Sequence, residues 1–301
     1  MSEPKPERSI IVIGAASCAG APDPGCAAGP DALHHYEVFH DTPLQRVAWD
    51  AILRVPRMPP QAALIAVSAL NRKLAEKVHG VLDEGNFPLV VGGDHSCAIG
   101  TWSGAQRALA DRGALGLIWI DAHMDSHTFD TTQSGQLHGM PVASLLGRGH
   151  AALRAFGPPL PDLRPGDLCL IGVRSYEAGE AALLHQLGVR VYTMDEVRAR
   201  GLRAVFDEAL ARVRARTAGF GVSVDLDALD PEEEPGVGSP VPGGIRCAEL
   251  AAALARLRGD PDFIAMEIVE YNPYRDRDRA TADAAGAFVE AVTPLASKPA
   301  R

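Results

Sequence analysis

The chain has 301 residues, 47% apolar and 22% charged, an ordinary globular composition with ample material for a sizeable core. Twenty-nine basic residues stand against 38 acidic ones, and the net charge of −9 argues against nucleic-acid or anionic membrane partners. No apolar run approaches the roughly 18 residues of a membrane span, and Ile10–Gly14, behind a polar start, is too short for a signal-peptide core.

In chain order, short Val- and Ile-rich runs alternate with longer helical patterns. A strand over Ser9–Ile13 comes first. The Pro-rich stretch Val55–Pro60 reads as a loop and Ala62–Gly85 as a helix, with Leu64, Val67, Leu74, Val78 and Leu82 at helical spacing. Strand Leu89–Val91, helix Ala98–Arg112, strand Leu117–Ile120 and helix Val142–Leu153 follow. Then come strand Leu168–Val173, helix Ala178–Leu187, strand Val189–Tyr192, helix Arg203–Arg216 and strand Phe220–Val224. Helix Ala248–Arg258, strand Phe263–Val269 and helix Ala280–Val292 complete the alternation, and Ala296–Arg301 reads as a frayed tail. No repeat or internal linker interrupts it. The pattern predicts one α/β domain over 1–301, three layers deep, with a mostly parallel central sheet between helices. Five cysteines without a CxxC (Cys18, Cys26, Cys97, Cys169, Cys247) read as reduced, mostly buried thiols of a cytoplasmic protein.

Such sheets bind ligands at the carboxyl ends of their strands. Leu89–Val91 runs into Gly92-Gly93-Asp94-His95-Ser96, and Leu117–Ile120 into Asp121-Ala122-His123-Met124-Asp125-Ser126-His127. Phe220–Val224 runs into Asp225-Leu226-Asp227, and Phe263–Val269 into Glu270-Tyr271-Asn272-Pro273. Singly, each piece reads as a cap or a tight turn. Together they do not, because alternate residues of an extended chain share a side. Asp121, His123 and Asp125 then project as one group, Asp225 and Asp227 as another, with His95 beside them. Adjacent carboxylates without a counter-charge repel and take up protons. A pair of divalent cations removes that repulsion, with Asp121 and Asp225 as natural bridges. Mostly oxygen donors with two imidazoles favour Mn2+ over Zn2+.

The blocks GGDHS (Gly92–Ser96), DAHMD (Asp121–Asp125), SVDLDALDP (Ser223–Pro231) and EYNP (Glu270–Pro273) resemble, in order, the signatures of the ureohydrolases, the arginase/agmatinase family. The resemblance covers about 10–292, is weakest before Ala62, and leaves 293–301 as a tail. It implies an arginase-like fold, two Mn2+ per subunit, a small guanidino substrate and a homo-oligomer, trimeric or hexameric. One ion would be held by His95, Asp121, Asp125 and Asp225, the other by His123, Asp121, Asp225 and Asp227. His138 matches the proton-shuttling histidine and Glu270 the carboxylate that receives the guanidinium, which makes Asp125, His138 and Glu270 the expected catalytic set. The chemistry agrees: a guanidinium stays protonated and resonance-stabilised, and two metals make a strong nucleophile of water near neutral pH.

The loop Asp125–Gly139 resembles the arginase branch, which implies L-arginine as substrate and L-ornithine and urea as products. Ser134, Gln136 and His127 would then meet the α-carboxylate, Glu177 the α-ammonium, and Ser239 would lie beside the substrate. His127 and Gln136 stand where arginases usually carry Asn, and Glu177 where Asp is usual, so agmatine or another guanidino acid is the alternative. A metal-binding homologue without turnover conflicts with intact ligands, His138 and Glu270. A deacetylase-like amide hydrolase with one Zn2+ has no place for the paired DLD and GGDHS blocks. Glu267, inside an apolar run, needs a partner to be buried, and the charged stretch Arg275–Arg279 is expected to cap the last helix.

Overall fold

The computed structural model describes residues 8–40, 47–56, 58–154, 156 and 162–293. The strands are β1 (Ile10–Ala16), β2 (Val47–Arg54), β3 (Phe87–Gly92), β4 (Leu115–Ile120), β5 (Leu168–Val173), β6 (Arg190–Thr193), β7 (Gly219–Asp225) and β8 (Phe263–Val269). The helices are α1 (Gly29–Leu33), α2 (Ala63–Asp83), α3 (Ala98–Leu109), α4 (Pro141–Leu145), α5 (Ala178–Leu187), α6 (Met194–Arg200), α7 (Leu202–Arg214), α8 (Cys247–Leu254) and α9 (Ala280–Val292). The strands form one sheet of eight in the order β2-β1-β3-β8-β7-β4-β5-β6, every neighbouring pair parallel.

The layers follow from residue alternation. In β4, Leu115, Leu117 and Trp119 pack with Leu74 and Val78 of α2, Trp102 of α3 and Leu145 of α4. Ile118 and Ile120 point the other way, into a cluster with Val205 and Phe206 of α7, Leu250 of α8 and Phe288 of α9. Both faces are covered, so the three-layer α/β/α expectation holds.

Several local readings differ. Strand β2 was not anticipated: it is an edge strand whose burial alternates weakly, with Trp49 and Asp50 in mid-run, so it lacks a doubly buried signature. The predicted helix Val142–Leu153 stops after Leu145. Gly147 takes φ +75°, and Gly149 leaves no room for a Cβ against Ser144. Helices α1 and α6 were also missed. The expected cap on α9 comes from Asp276, whose carboxylate accepts Thr281 and Ala282 N–H at 3.1 Å. Cys26, Cys97, Cys169 and Cys247 are free thiols. Of the predicted tail, residues 294–301 lie outside the described residues.

The topology positions the site. Strands β3, β8, β7 and β4 are neighbours at the centre of the sheet, although β3 and β4 are consecutive in the chain. Their four carboxyl ends therefore open onto one crevice.

Candidate metal centre and substrate pocket

His95 leaves β3 through a tight turn. Gly93 lies so close to Ser17 that a Cβ there would meet the Ser17 carbonyl at 2.0 Å. Asp94 caps the turn, accepting Ser96 N–H and Gly20 N–H at 3.0 Å. The His95 ring stacks on Trp119 at 4.1 Å and 12°. Its Nδ1 lies 3.3 Å from Asp121 Oδ2, 3.1 Å from Asp125 Oδ2 and 3.0 Å from Asp225 Oδ2. Yet this buried nitrogen has no hydrogen-bond partner. A ring nitrogen facing three carboxylate oxygens is an arrangement that a cation completes.

A second group shares Asp121. His123 Nδ1 lies 3.4 Å from Asp121 Oδ1 and 3.1 Å from Asp227 Oδ2. Asp121 thus turns Oδ2 toward His95 and Oδ1 toward His123, as a bridging ligand would. Ligand atoms of His95, Asp121 and Asp225 converge, as do those of Asp121, His123 and Asp227. The residues present fit two divalent cations.

The convergence was anticipated, its mechanism was not. Neither run is extended beyond its strand. Asp121 Oδ1 accepts His123 N–H at 2.6 Å and Asp225 Oδ1 accepts Asp227 N–H at 2.8 Å, so each leading aspartate closes a turn over the next candidate ligand. Asp125 takes φ +48° and Glu270 φ +66°, costly conformations for residues with a Cβ that concentrate at functional sites.

The field demands positive charge. Burial, with the Asp121 charge, pushes Asp125 up to about 6, and burial with the Asp227 and Asp121 charges pushes Asp225 well above the carboxylate range. Burial opposes charging of His95 and His123, but the surrounding aspartates outweigh it and raise both.

Glu270 follows β8, its N–H bound to Gly93 O at 2.8 Å. Its Oε1 accepts His95 N–H at 2.9 Å and lies 3.2 Å from His138 Nδ1. His138 sits on the turn Leu137–Gly139, where its N–H holds Gly20 O at 3.0 Å. Burial opposes its charge, but the Glu270 hydrogen bond and charge prevail and push it up to about 9.

A cavity of about 160 Å³ opens at His138, lined also by His123, Asp125, Asp225 and Asp227. His127, Ser134, Gln136, Glu177 and Ser239 line it as well. His127 is not free: its Nε2 lies 2.9 Å from Glu177 Oε2 and 3.4 Å from Glu180 Oε2, and its Nδ1 3.1 Å from Thr131 Oγ1.

Two participants were missed from the sequence. Glu180, buried, accepts Ser126 N–H at 3.1 Å and Glu177 N–H at 3.0 Å, the latter part of the capping box of α5; the Glu-x-x-Glu spacing was the available signal. Arg174, after β5, donates to the carbonyls of Asp227 (2.8 Å), Leu229 (3.1 Å) and Val241 (2.8 Å), and more loosely to Gly172 and Ala228.

The profile of the arginase family matches residues 8–293. The arginase of Bacillus caldovelox is 39% identical, the match covering 94% of this chain and 97% of that one. The crystal structure of the arginase from Bacillus subtilis strain 168 superposes with a TM-score of 0.88 at 38% identity, covering 98% of this chain and all of that one. An Entamoeba histolytica arginase solved in complex with L-ornithine superposes with a TM-score of 0.85 at 25% identity over 95% of this chain and 97% of that one.

Proposed function

The chain belongs to the arginase family, and from that premise we propose that it hydrolyses L-arginine to L-ornithine and urea with two Mn2+ per subunit. It is a hydrolase of carbon–nitrogen bonds other than peptide bonds. The observation that carries the metal reading is the partnerless His95 Nδ1 facing three carboxylate oxygens at 3.0–3.3 Å. His95, Asp121, Asp125 and Asp225 would hold one ion, and His123, Asp121, Asp225 and Asp227 the other. Bound there, the metal pair supplies a strong nucleophile from water near neutral pH.

The protein's own groups do the rest. With Glu270 Oε1 anchored on His95 N–H, Oε2 lies over Gly238, where a Cβ would stand 3.5 Å away, and that oxygen receives the guanidinium. His138, raised to about 9, is protonated at neutral pH. Its Nδ1 is committed to Glu270, so Nε2 carries the proton to the departing amine. Among the lining residues Ser134, Gln136 and His127 are offered to the α-carboxylate and Glu177 to the α-ammonium, with Ser239 in the same cavity.

One observation favours a second substrate: His127 already occupies Glu177 at 2.9 Å, which suits a guanidino acid without an α-ammonium. A urea-release screen on one Mn2+-loaded preparation decides. Polar groups built for a carboxylate stay unpaired under agmatine. Two lost charge-assisted bonds at about 1.5–3 kcal/mol each predict kcat/KM for L-arginine about 10²–10⁴-fold above agmatine. Agmatine matching arginine overturns the arginase assignment, and 4-guanidinobutanoate surpassing it favours the second reading. The same proposal has the protein act in the cytoplasm as a trimer or hexamer, with no nucleic-acid or membrane partner. Buried thiols at Cys97 and Cys169 support a reducing compartment, and light scattering behind gel filtration tests the oligomer.

A further inference from the structure

A buried acid in mid-strand is costly, and Glu267 is fully buried at the centre of β8 among Met266, Ile268 and Ile264. Its Oε1 accepts the Trp102 indole N–H at 2.7 Å and the Ser223 hydroxyl at 2.7 Å, while Oε2 has no partner. Ser223 pairs with Glu267 across β7 and β8, and its Oγ lies 2.9 Å from His95 Nε2. The sheet also makes room for the indole. A Cβ on Gly221 would stand 2.0 Å from the Trp102 ring, so β7 carries no side chain there.

The donor and acceptor inventory sets the direction of this chain. An indole N–H only donates, so Oε1 is an acceptor, whatever the protonation at Oε2. Ser223, 2.7 Å from the same oxygen, donates its only hydroxyl hydrogen there. It therefore turns a lone pair to His95, and Nε2 must carry a hydrogen. With Nε2 committed as a donor, Nδ1 is the nitrogen left to offer its lone pair to a cation held among the Asp121, Asp125 and Asp225 oxygens. We propose that Trp102, Glu267 and Ser223 form a one-way hydrogen-bond chain that holds His95 in its Nε2–H tautomer and so sets the metal affinity of the His95 side alone. Glu267 is then a positioning residue that never touches substrate, and the cost of burying it is offset when metal binds. Carboxylates behind a metal-ligating histidine act this way by orienting the ring and raising its basicity. The inference rests on the two-metal reading.

The test is Mn2+ binding to metal-stripped, full-length protein, read from the electron paramagnetic resonance of free Mn2+. His123→Ala leaves the His95 side to be titrated, and His95→Ala leaves the other. Adding Ser223→Ala weakens Mn2+ by about 10–100-fold in the His123→Ala background. In the His95→Ala background it changes the affinity by no more than about twofold. Glu267→Gln repeats the pattern, because an amide can donate to Ser223 and reverse the chain; should that variant not fold, Ser223→Ala carries the test alone. Equal weakening in both backgrounds, or none in His123→Ala, overturns the proposal. Wild-type protein that binds no Mn2+ overturns the two-metal reading beneath it.

Discussion

Replacing Arg174 by Lys should cost both stability and metal. The guanidinium holds the Asp227 and Val241 carbonyls at 2.8 Å and reaches Leu229 at 3.1 Å, tying the loop after β7 to the end of β5. Bonds to a charged donor are worth about 1.5–3 kcal/mol each. The two short ones dominate, because the longer ones share hydrogens and the half-exposed site readmits some water. The net loss is then about 3–5 kcal/mol. A point-like ammonium cannot fork across these carbonyls, so Lys recovers little. Unfolding entropy of about 2.1 cal/mol/K per residue over this chain turns that loss into a Tm lower by about 5–8 °C. Because Asp227 is both a held carbonyl and an expected ligand, Mn2+ content should fall on the His123 side first. Calorimetry and metal analysis of Arg174→Lys check both. A Tm within about 1 °C of wild type with full metal content would refute the clamp.

Other outcomes follow from the same geometry. Asp225→Ala should lose metal and most urea release; two bound ions with normal turnover would remove this strand end from the site. His138→Asn should keep both metals and lower kcat by roughly 10²–10⁴-fold, whereas metal loss would make His138 a ligand. Burial, with Glu233 and Asp230 nearby, raises Glu234 from its ordinary 4.5 to about 7. The unfolded carboxyl ionises first, so stability falls as pH rises from about 4.5 through about 7. Glu234→Gln should flatten Tm against pH across that window; an unchanged slope would show that another group carries it.

The doubly buried strands were legible because their residues are apolar but for Glu267: Leu168–Val173 and Phe263–Val269 have the bounds expected of them. Strand β2 was not, since an edge strand half open to water mixes Trp49 with Asp50. At the site, residue types and their place after each apolar run were enough to bring His95, Asp121, Asp225 and Glu270 together. What escaped was pairing across the chain. Arg174 acts on carbonyls, which have no side-chain signature, and Ser223 meets Glu267 only because β7 and β8 are neighbours. The His127–Glu177 contact likewise depends on the turn after β4 folding toward α5. Extended alternation was the wrong local geometry for residues that nonetheless converge, because Asx-type turns also set residues i and i+2 side by side.

This crevice is expected to hydrolyse a guanidino group only when two cations fill it. Metal-stripped protein is titrated with Mn2+ while urea release from L-arginine is followed. No urea is expected without metal, and the rate should level off at two Mn2+ per subunit. Full activity in stripped protein, or no urea at any Mn2+ concentration, would contradict it.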